Sequence, residues 1–313
     1  MNPADGDRVT VLTGGVGGAK LVLGMAHAMQ PEKLTAIVNT GDDFVHMGLH
    51  VSPDIDTLLY TLSGKANAAQ GWGREGESWN FMQAVRSLGG ADWFALGDGD
   101  LALHVLRTQR LRAGAKLSTI IGEFARSWDL AITIVPMTDD CVETRVETRE
   151  GELSFQDYFV RRHCEPAIEA IRFSGAQQAQ PAPGVLEALQ SPDTRAIVIA
   201  PSNPFLSVDP ILAIPAIRAA LMKRSAPAIA VSPIVAGAAV KGPTAKLMRE
   251  LGLKVSAAEV AHHYDGLIDA MLVDERDPPD ACPIRHLRTD TLMHTLEDRI
   301  RVARAALALA QLC

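Results

Sequence analysis

Short apolar runs at residues 9–13, 34–39, 131–135, 196–200, 228–231 and 267–273 alternate with stretches whose apolar positions recur at helical spacing, such as 21–29, 210–222 and 245–251. Runs of that length read as buried strands, and parallel neighbours need a return path of about a dozen residues. The pattern predicts an α/β fold: a Rossmann-like, doubly wound, mainly parallel sheet. Residues 141–155, CVETRVETREGELSF, follow a different period. Val, Thr and Leu alternate there with charged residues around a turn near Gly151, which predicts an antiparallel hairpin. That hairpin implies an embedded smaller α/β excursion, a lobe around 136–180, within one domain over 1–313. AQQAQPAPG at 176–184 reads as a loop, and 292–312 as a closing helix rich in Arg and Ala.

Composition narrows the class. Of 313 residues, 47% are hydrophobic and 21% charged, close to the averages for globular proteins, so neither disorder nor a fibrous architecture is indicated. The formal net charge is −7 and no Lys/Arg run exceeds two residues. A surface that neutralises many nucleic-acid phosphates is therefore not expected, whereas a local pocket for a small anion is compatible. The start, MNPADGDR, is acidic and lacks the basic, apolar character of a signal peptide. The longest apolar runs fall short of the roughly 20 residues that span a bilayer. A cytoplasmic location away from membranes is the expectation. Cys141, Cys164, Cys282 and Cys313 form no C-x-x-C pair, so reduced thiols are expected rather than zinc or a disulfide framework.

The first strand runs into TGGVGGAK, which places Thr13, Gly14, Gly15, Gly17, Gly18 and Lys20 at a strand-to-helix turn. Glycines there let backbone approach an anion closely, and the N–H groups opening the next helix attract negative charge. A P-loop needs Gly-Lys followed by Ser or Thr, but Ala19 precedes Lys20 and Leu21 follows it. In the dinucleotide fingerprint the third glycine would stand where Lys20 is, and Asn39 replaces the acid that holds a ribose. The turn predicts phosphate binding of neither familiar kind.

The loop after the second strand, NTGDDFVHMGLHVSPDIDTLLYTLSG, carries Asp42, Asp43, Asp54 and Asp56. In an open parallel sheet this loop and the glycine turn both leave at the carboxyl ends of strands, where ligands bind. Four carboxylates beside a phosphate site repel one another, and a hard cation such as Mg²⁺ relieves that repulsion. A plainer account covers two of them, since Ser52 can cap a helix, Pro53 suits its first position, and Asp54 and Asp56 lie near its positive end. It does not account for Asp42 and Asp43. His46 and His50, in a glycine-containing loop, are read as surface or structural residues. Asp98 and Asp100 open another helix-like stretch as caps or as further acids at the same rim. The loops beginning at Ser202–Asn203 and at Ser232 break from β-rich runs at prolines; Asn203 offers an amide to a ring edge, and Lys241 a charge to a phosphate.

Several separated segments, in order, carry a resemblance over nearly the whole chain: TGGVGGAK, the 38–64 loop, GWG at 71–73, LGDGDLALH, LRAGAKLS, PSNPFLSVDPIL and VSPIVAGAAVKGP. Together they resemble the CofD family, the 2-phospho-lactate transferases that make the deazaflavin coenzyme F-420. The resemblance implies a guanosine diphospho-donor, the deazaflavin Fo as acceptor, and release of GMP. The transferred unit is 2-phospho-L-lactyl, phosphoenolpyruvyl or phosphoglyceryl. It implies Mg²⁺ at Asp42, Asp43, Asp54 and Asp56, with Asp43 or Asp54 also taking the hydroxyl proton. Thr13, the four glycines, Lys20, Ser202, Asn203, Ser232 and Lys241 would hold the substrates. A related family of nucleotide-sugar-binding regulators shares the glycine turn and the aspartates and is the alternative; PDIDTLLYTLSG and LGDGDLALH are similar to the transferases instead. A homodimer is compatible with an exposed apolar C-terminal helix.

Overall fold

Every apolar run predicted as a strand forms one, and a seventh joins them, in a computed structural model that describes residues 7–67, 69–240, 242–279 and 282–313. The strands of the main sheet are β1 (Arg8–Thr13), β2 (Leu34–Val38), β3 (Thr133–Pro136), β4 (Thr194–Ile199), β5 (Ala228–Val231), β6 (Ala270–Asp274) and β7 (Arg285–Thr289). They lie in the order β7-β6-β5-β4-β1-β2-β3, all pairs parallel. The chain winds outward from β1 first to one side and then to the other. Ligand crevices in such sheets form where that direction reverses, here between β1 and β4.

Side chains alternate between two cores. Val9, Val11, Val198, Ile229 and Leu272 face the helices Gly15–Ala28, Leu117–Ser127 and Leu296–Ala310. Leu12, Ile197, Ile199, Met271 and Val273 face the other side, under Val185–Gln190, Pro215–Met222, Thr244–Glu250 and Ala257–His263. Strand β7 escapes the sequence pattern because RHLRT is half-exposed along its length and has no apolar run, unlike β3 at the opposite edge, which is largely buried. The helix predicted at 210–222 breaks into Asp209–Leu212 and Pro215–Met222, because Pro215 disfavours helical backbone in the residue before it.

The C-terminal helix differs from expectation. It starts at a capping box made by Thr295 and Asp298, and buries Val302, Ala303, Ala306, Leu309 and Ala310. Its partner is the first helix, where Gly24 lets the backbone of Arg299 come so close that a Cβ there would collide with it. Its apolar face is therefore spent inside the fold, which removes the reason given for a homodimer. No single helix among the described residues is long and apolar enough to cross a membrane.

The excursion is a three-stranded antiparallel sheet of Glu143–Thr148, Gly151–Ser154 and Ile168–Ser174, with the first strand central, followed along the chain from Gly151–Ser154 by one short helical turn, Asp157–Arg161. The hairpin is where the alternation put it. The lobe is fastened to the main sheet at the loop after β2: the Thr144 amide donates to Gly41 O at 2.6 Å and Gln156 Nε2 to Asp42 O at 3.0 Å.

Candidate active site

Three loops leave the sheet together at the switch point. The Asn39 amide donates to Thr13 O and the Ala200 amide to Leu12 O, both at 3.0 Å, so the ends of β2 and β4 flank the end of β1. From β1 the chain passes through extended Gly14 into the helix Gly15–Ala28, whose first turn carries no acid. The glycines serve this convergence directly. A Cβ on Gly14 would collide with Asp54 Oδ2, one on Gly17 would stand 2.7 Å from Pro201 O, and one on Gly18 would collide with Thr13 Oγ1. Gly15 has φ +65°, in the left-handed region that favours glycine. Its amide donates to Asp54 Oδ1 at 2.7 Å, while Ser202 Oγ accepts from the Gly14 amide at 3.2 Å and donates to Gly14 O at 2.7 Å. The turn is thus sewn to both neighbouring loops, with the positive end of the helix beside the carboxylates.

Asn39, fully buried, explains why the position of a ribose-binding acid is an amide. Its Nδ2 donates to Asp54 Oδ2 at 2.9 Å and to Asp42 Oδ1 at 3.3 Å, and its Oδ1 accepts from the Gly41 amide at 2.8 Å. One neutral side chain brackets two acids. Asp43 Oδ2 accepts from Ser52 Oγ at 2.7 Å and lies 3.1 Å from His50 Nε2, whereas Asp43 Oδ1 is buried with no partner. Burial pushes all three carboxyls up. For Asp42, well above the ordinary range, the charges of Asp54 and Asp43 add to burial; Asp54 is pushed up to about 6. Ser52 stands at the N-cap position of Pro53–Leu62, as expected, but its hydroxyl serves Asp43 rather than the helix.

Asp56 departs from the expected cation site. Both its oxygens are taken by the fully buried guanidinium of Arg107, at 3.1 Å for Oδ2. Arg107 Nη1 also donates to His50 O at 3.3 Å, so this pair braces the hairpin Phe44–His46/Leu49–Val51 that follows Asp43. Asp100 accepts from Tyr60 Oη and lies 3.1 Å from His104 Nε2. Asp98 accepts from Ser78, from the amide and side chain of Asn80 and from the Phe81 amide, which holds it down at about 2 and makes it the fastener of the helix Asn80–Ser87. His46 is buried against the Trp93 ring at 5.1 Å between centroids, a structural role as expected, whereas His50 touches Asp43.

The remaining expected binding residues divide. Asn203 Oδ1 accepts from the Phe205 and Leu206 amides at 3.0 and 3.2 Å, and its Nδ2 is buried without a partner, a donor available to a ligand. Thr13 Oγ1 is likewise buried and unpartnered. Ser232 Oγ closes a local turn with Ile234. Lys20 is half-buried on the first helix, and Lys241 lies outside the described residues. Sequence reasoning missed Arg107, Thr144 and Gln156. The spacing of His104 and Arg107, three apart on one helical face, was the available signal for the first.

Among the described residues no three His, Cys, Asp or Glu side chains form a ready-made metal cage. Mg²⁺ does not require one, since it is commonly held by one or two carboxylates together with substrate phosphates and water. Asp42 and Asp54, adjoining buried carboxylates of raised proton affinity bracketed by one neutral amide, suit a cation of that kind.

Comparison with known proteins agrees with this architecture. A member of the UPF0052 family from Bacillus halodurans, solved by crystallography, superposes with a TM-score of 0.62 over 96% of this chain and 99% of that one, at 17% identity, a likeness of fold. Phosphoenolpyruvate transferase of Streptomyces avermitilis is 41% identical across 97% of this chain and 98% of its own length. 2-Phospho-L-lactate transferase of Methanopyrus kandleri is 38% identical across 97% and 98%. The model of the family described as 2-phospho-L-lactate transferase CofD matches residues 9–308, and the chain is a transferase of the CofD family.

Proposed function

We propose that this chain transfers a phosphoenolpyruvyl unit from a guanosine diphospho-donor to the terminal hydroxyl of the deazaflavin Fo, releasing GMP in the making of coenzyme F-420. The observation that carries the reading is the juxtaposition, at the switch point, of a helix N-terminus with the buried Asp42 and Asp54 and the part-buried Asp43. Four relatives named phosphoenolpyruvate transferase stand at 41–42% identity and others at 36–39%, against 36–38% for those named 2-phospho-L-lactate transferase, and the higher group favours the enolpyruvyl unit.

The acceptor oxygen forms a bond to the phosphorus bearing the enolpyruvyl group as the bond from that phosphorus to the bridging oxygen breaks, and GMP leaves with the electron pair. Such a displacement depends on in-line positioning and charge neutralisation. The first-turn amides and Thr13 cradle the diphosphate. Asp43 Oδ1 receives the hydroxyl proton: it is buried, unpartnered and of raised proton affinity, and the half-buried His50 behind Oδ2 leads the proton outward. Asp42 and Asp54 would hold Mg²⁺, which supplies neutralisation of phosphate charge. Asn203 Nδ2 and the 232–237 loop help bind guanine or the deazaflavin.

The test is the mass of the product formed from Fo and each guanylyl donor with Mg²⁺. The enolpyruvyl product, two hydrogens lighter than the lactyl product, is expected. Tighter binding of UDP-sugars than of GDP, with no product from any donor, would overturn the reading in favour of a regulator.

A further inference from the structure

A cavity of about 50 Å³ opens beside the candidate catalytic acids, between the loop after β2 and the embedded lobe. Gly41, Asp42, Asp43 and Phe44 line one side, and Thr144, Arg145 and Gln156 belong to the other. Its size admits one small group and neither a nucleoside nor a three-ring heterocycle. Its lining carries three carboxylates, those of Asp42, Asp43 and Glu143, and a single cation, Arg145. Resting on the transfer reading above, we infer that Arg145, on the embedded lobe, binds the carboxylate of the transferred unit and so determines that a carboxylated donor is taken.

The chemistry requires a cation close to the acids. The carboxylate of the unit is only a few bonds from the phosphorus under attack, so it must sit within a side chain's reach of Asp42 and Asp43. An anion placed there without a counter-charge would meet strong repulsion. The nearby Arg107 is bound through both terminal nitrogens to Asp56, and through Nη1 also to His50 O. Arg145 is held more loosely, by the half-exposed carboxylate of Glu143, a pairing of little worth in water. Directly opposite it on the adjoining strand stands Arg172, which is paired with Glu147 and does not line the cavity. A guanidinium presents paired N–H donors that match a carboxylate edge.

Two features fix the strand that carries Arg145. The amide of Thr144 is bound to Gly41 O at 2.6 Å, which ties Arg145 to the loop bearing the acids. Thr144 Oγ1 is buried and unpartnered, and a Cβ on Gly41 would stand 2.8 Å from it, so the absent side chain leaves room next to a donor without a partner.

Calorimetric titration of the full-length protein with GDP and with enolpyruvyl-diphospho-guanosine, both with Mg²⁺, tests the assignment. Arg145→Gln is expected to weaken the carboxylated donor by about 10- to 100-fold, the range for a hydrogen bond between charged groups, while leaving GDP within about twofold. Arg145→Lys should recover part of the loss, and Arg172→Gln, across the strand, should change neither affinity. In turnover, the Arg145→Gln defect should fall on the KM for donor and leave the KM for Fo unchanged. Equal loss for both nucleotides, or none for the carboxylated one, in a wild-type background that binds both, overturns the subsite alone. A wild-type chain that binds neither guanine nucleotide overturns the donor reading and the subsite with it.

Discussion

Two buried acidic regions lie side by side on the helix Pro53–Leu62 and its neighbours, and they are treated in opposite ways. Asp56 is matched by Arg107, and Asp100, which accepts from Tyr60, lies beside His104 on the same side. Asp42, Asp43 and Asp54 receive one amide bracket, two hydroxyl or imidazole contacts and a backbone N–H, and no guanidinium or ammonium among the described residues bonds them directly. Burial without counter-charge is costly, and folded proteins tolerate it where a ligand supplies what is missing. The matched region is architecture, and the unmatched one is where chemistry belongs.

The sharpest way to break this comparison is to remove charge from the unmatched side at the oxygen without a partner. Asp43→Asn keeps volume and the contact to Ser52, and should lower turnover by about 10²–10⁴-fold, the usual span for loss of a general base, with the folded structure retained by circular dichroism. Rates equal to wild type would take Asp43 out of the reaction.

On the matched side the same kind of change should act on stability. Arg107→Met strands Asp56 as a buried, uncompensated charge and is expected to cost about 3–5 kcal/mol in denaturant unfolding. Replacing both partners, as Arg107→Met with Asp56→Leu, should restore most of it, because an apolar pair of similar volume removes the desolvation cost. A single variant as stable as wild type would mean that the pair is not the brace described.

How far the sequence revealed these regions depends on the range of the interactions. Strands β1 to β6 are legible because a strand buried on both faces must be largely apolar, whereas β7, half-exposed along its length, is free of that demand. The glycine turn is legible as a place of close approach, but its partners are not: Asp54, Pro201 and Ser202 are brought to it only by the neighbouring strand ends. Asp42 and Asp43 stand out because no helix start explains them. Asp56 looks equivalent to Asp54 in PDID, and only the helix Asp98–Arg112, 51 residues away, separates their fates. The C-terminal helix reads as apolar, but its alanines gave no sign that they meet Gly24 of the first helix.

A smaller effect, opposite in sign to that of Arg107→Met, should come from Asp42. Burial and the charges of Asp54 and Asp43 all push its carboxyl up, so its ionised form destabilises the fold at neutral pH. Asp42→Asn should therefore raise stability without Mg²⁺ and nucleotide by about 0.5–2 kcal/mol, as relief of strain at functional sites commonly does. Unchanged or lowered stability in urea at pH 7 would show that the acid is compensated after all.

The comparison also predicts a dependence on pH. The folded carboxyl of Asp54 is pushed up to about 6, against an ordinary 3.8, so the native state holds this proton more tightly than the unfolded chain does. Its protonation stabilises the fold fully below about 3.8, and that contribution is lost as pH rises through 6. Depressed acids such as Asp298 and Asp274 work in the other direction, so the difference between wild type and Asp54→Asn isolates the group. That difference should shift against wild type between pH 4 and 6.5 and then level off. Adding Mg²⁺ with GDP should flatten it, because a cation beside Asp54 lowers its proton affinity. A difference that runs the other way, with wild type gaining on the variant as pH rises, would place a positive charge at Asp54 and erase the contrast with Asp56.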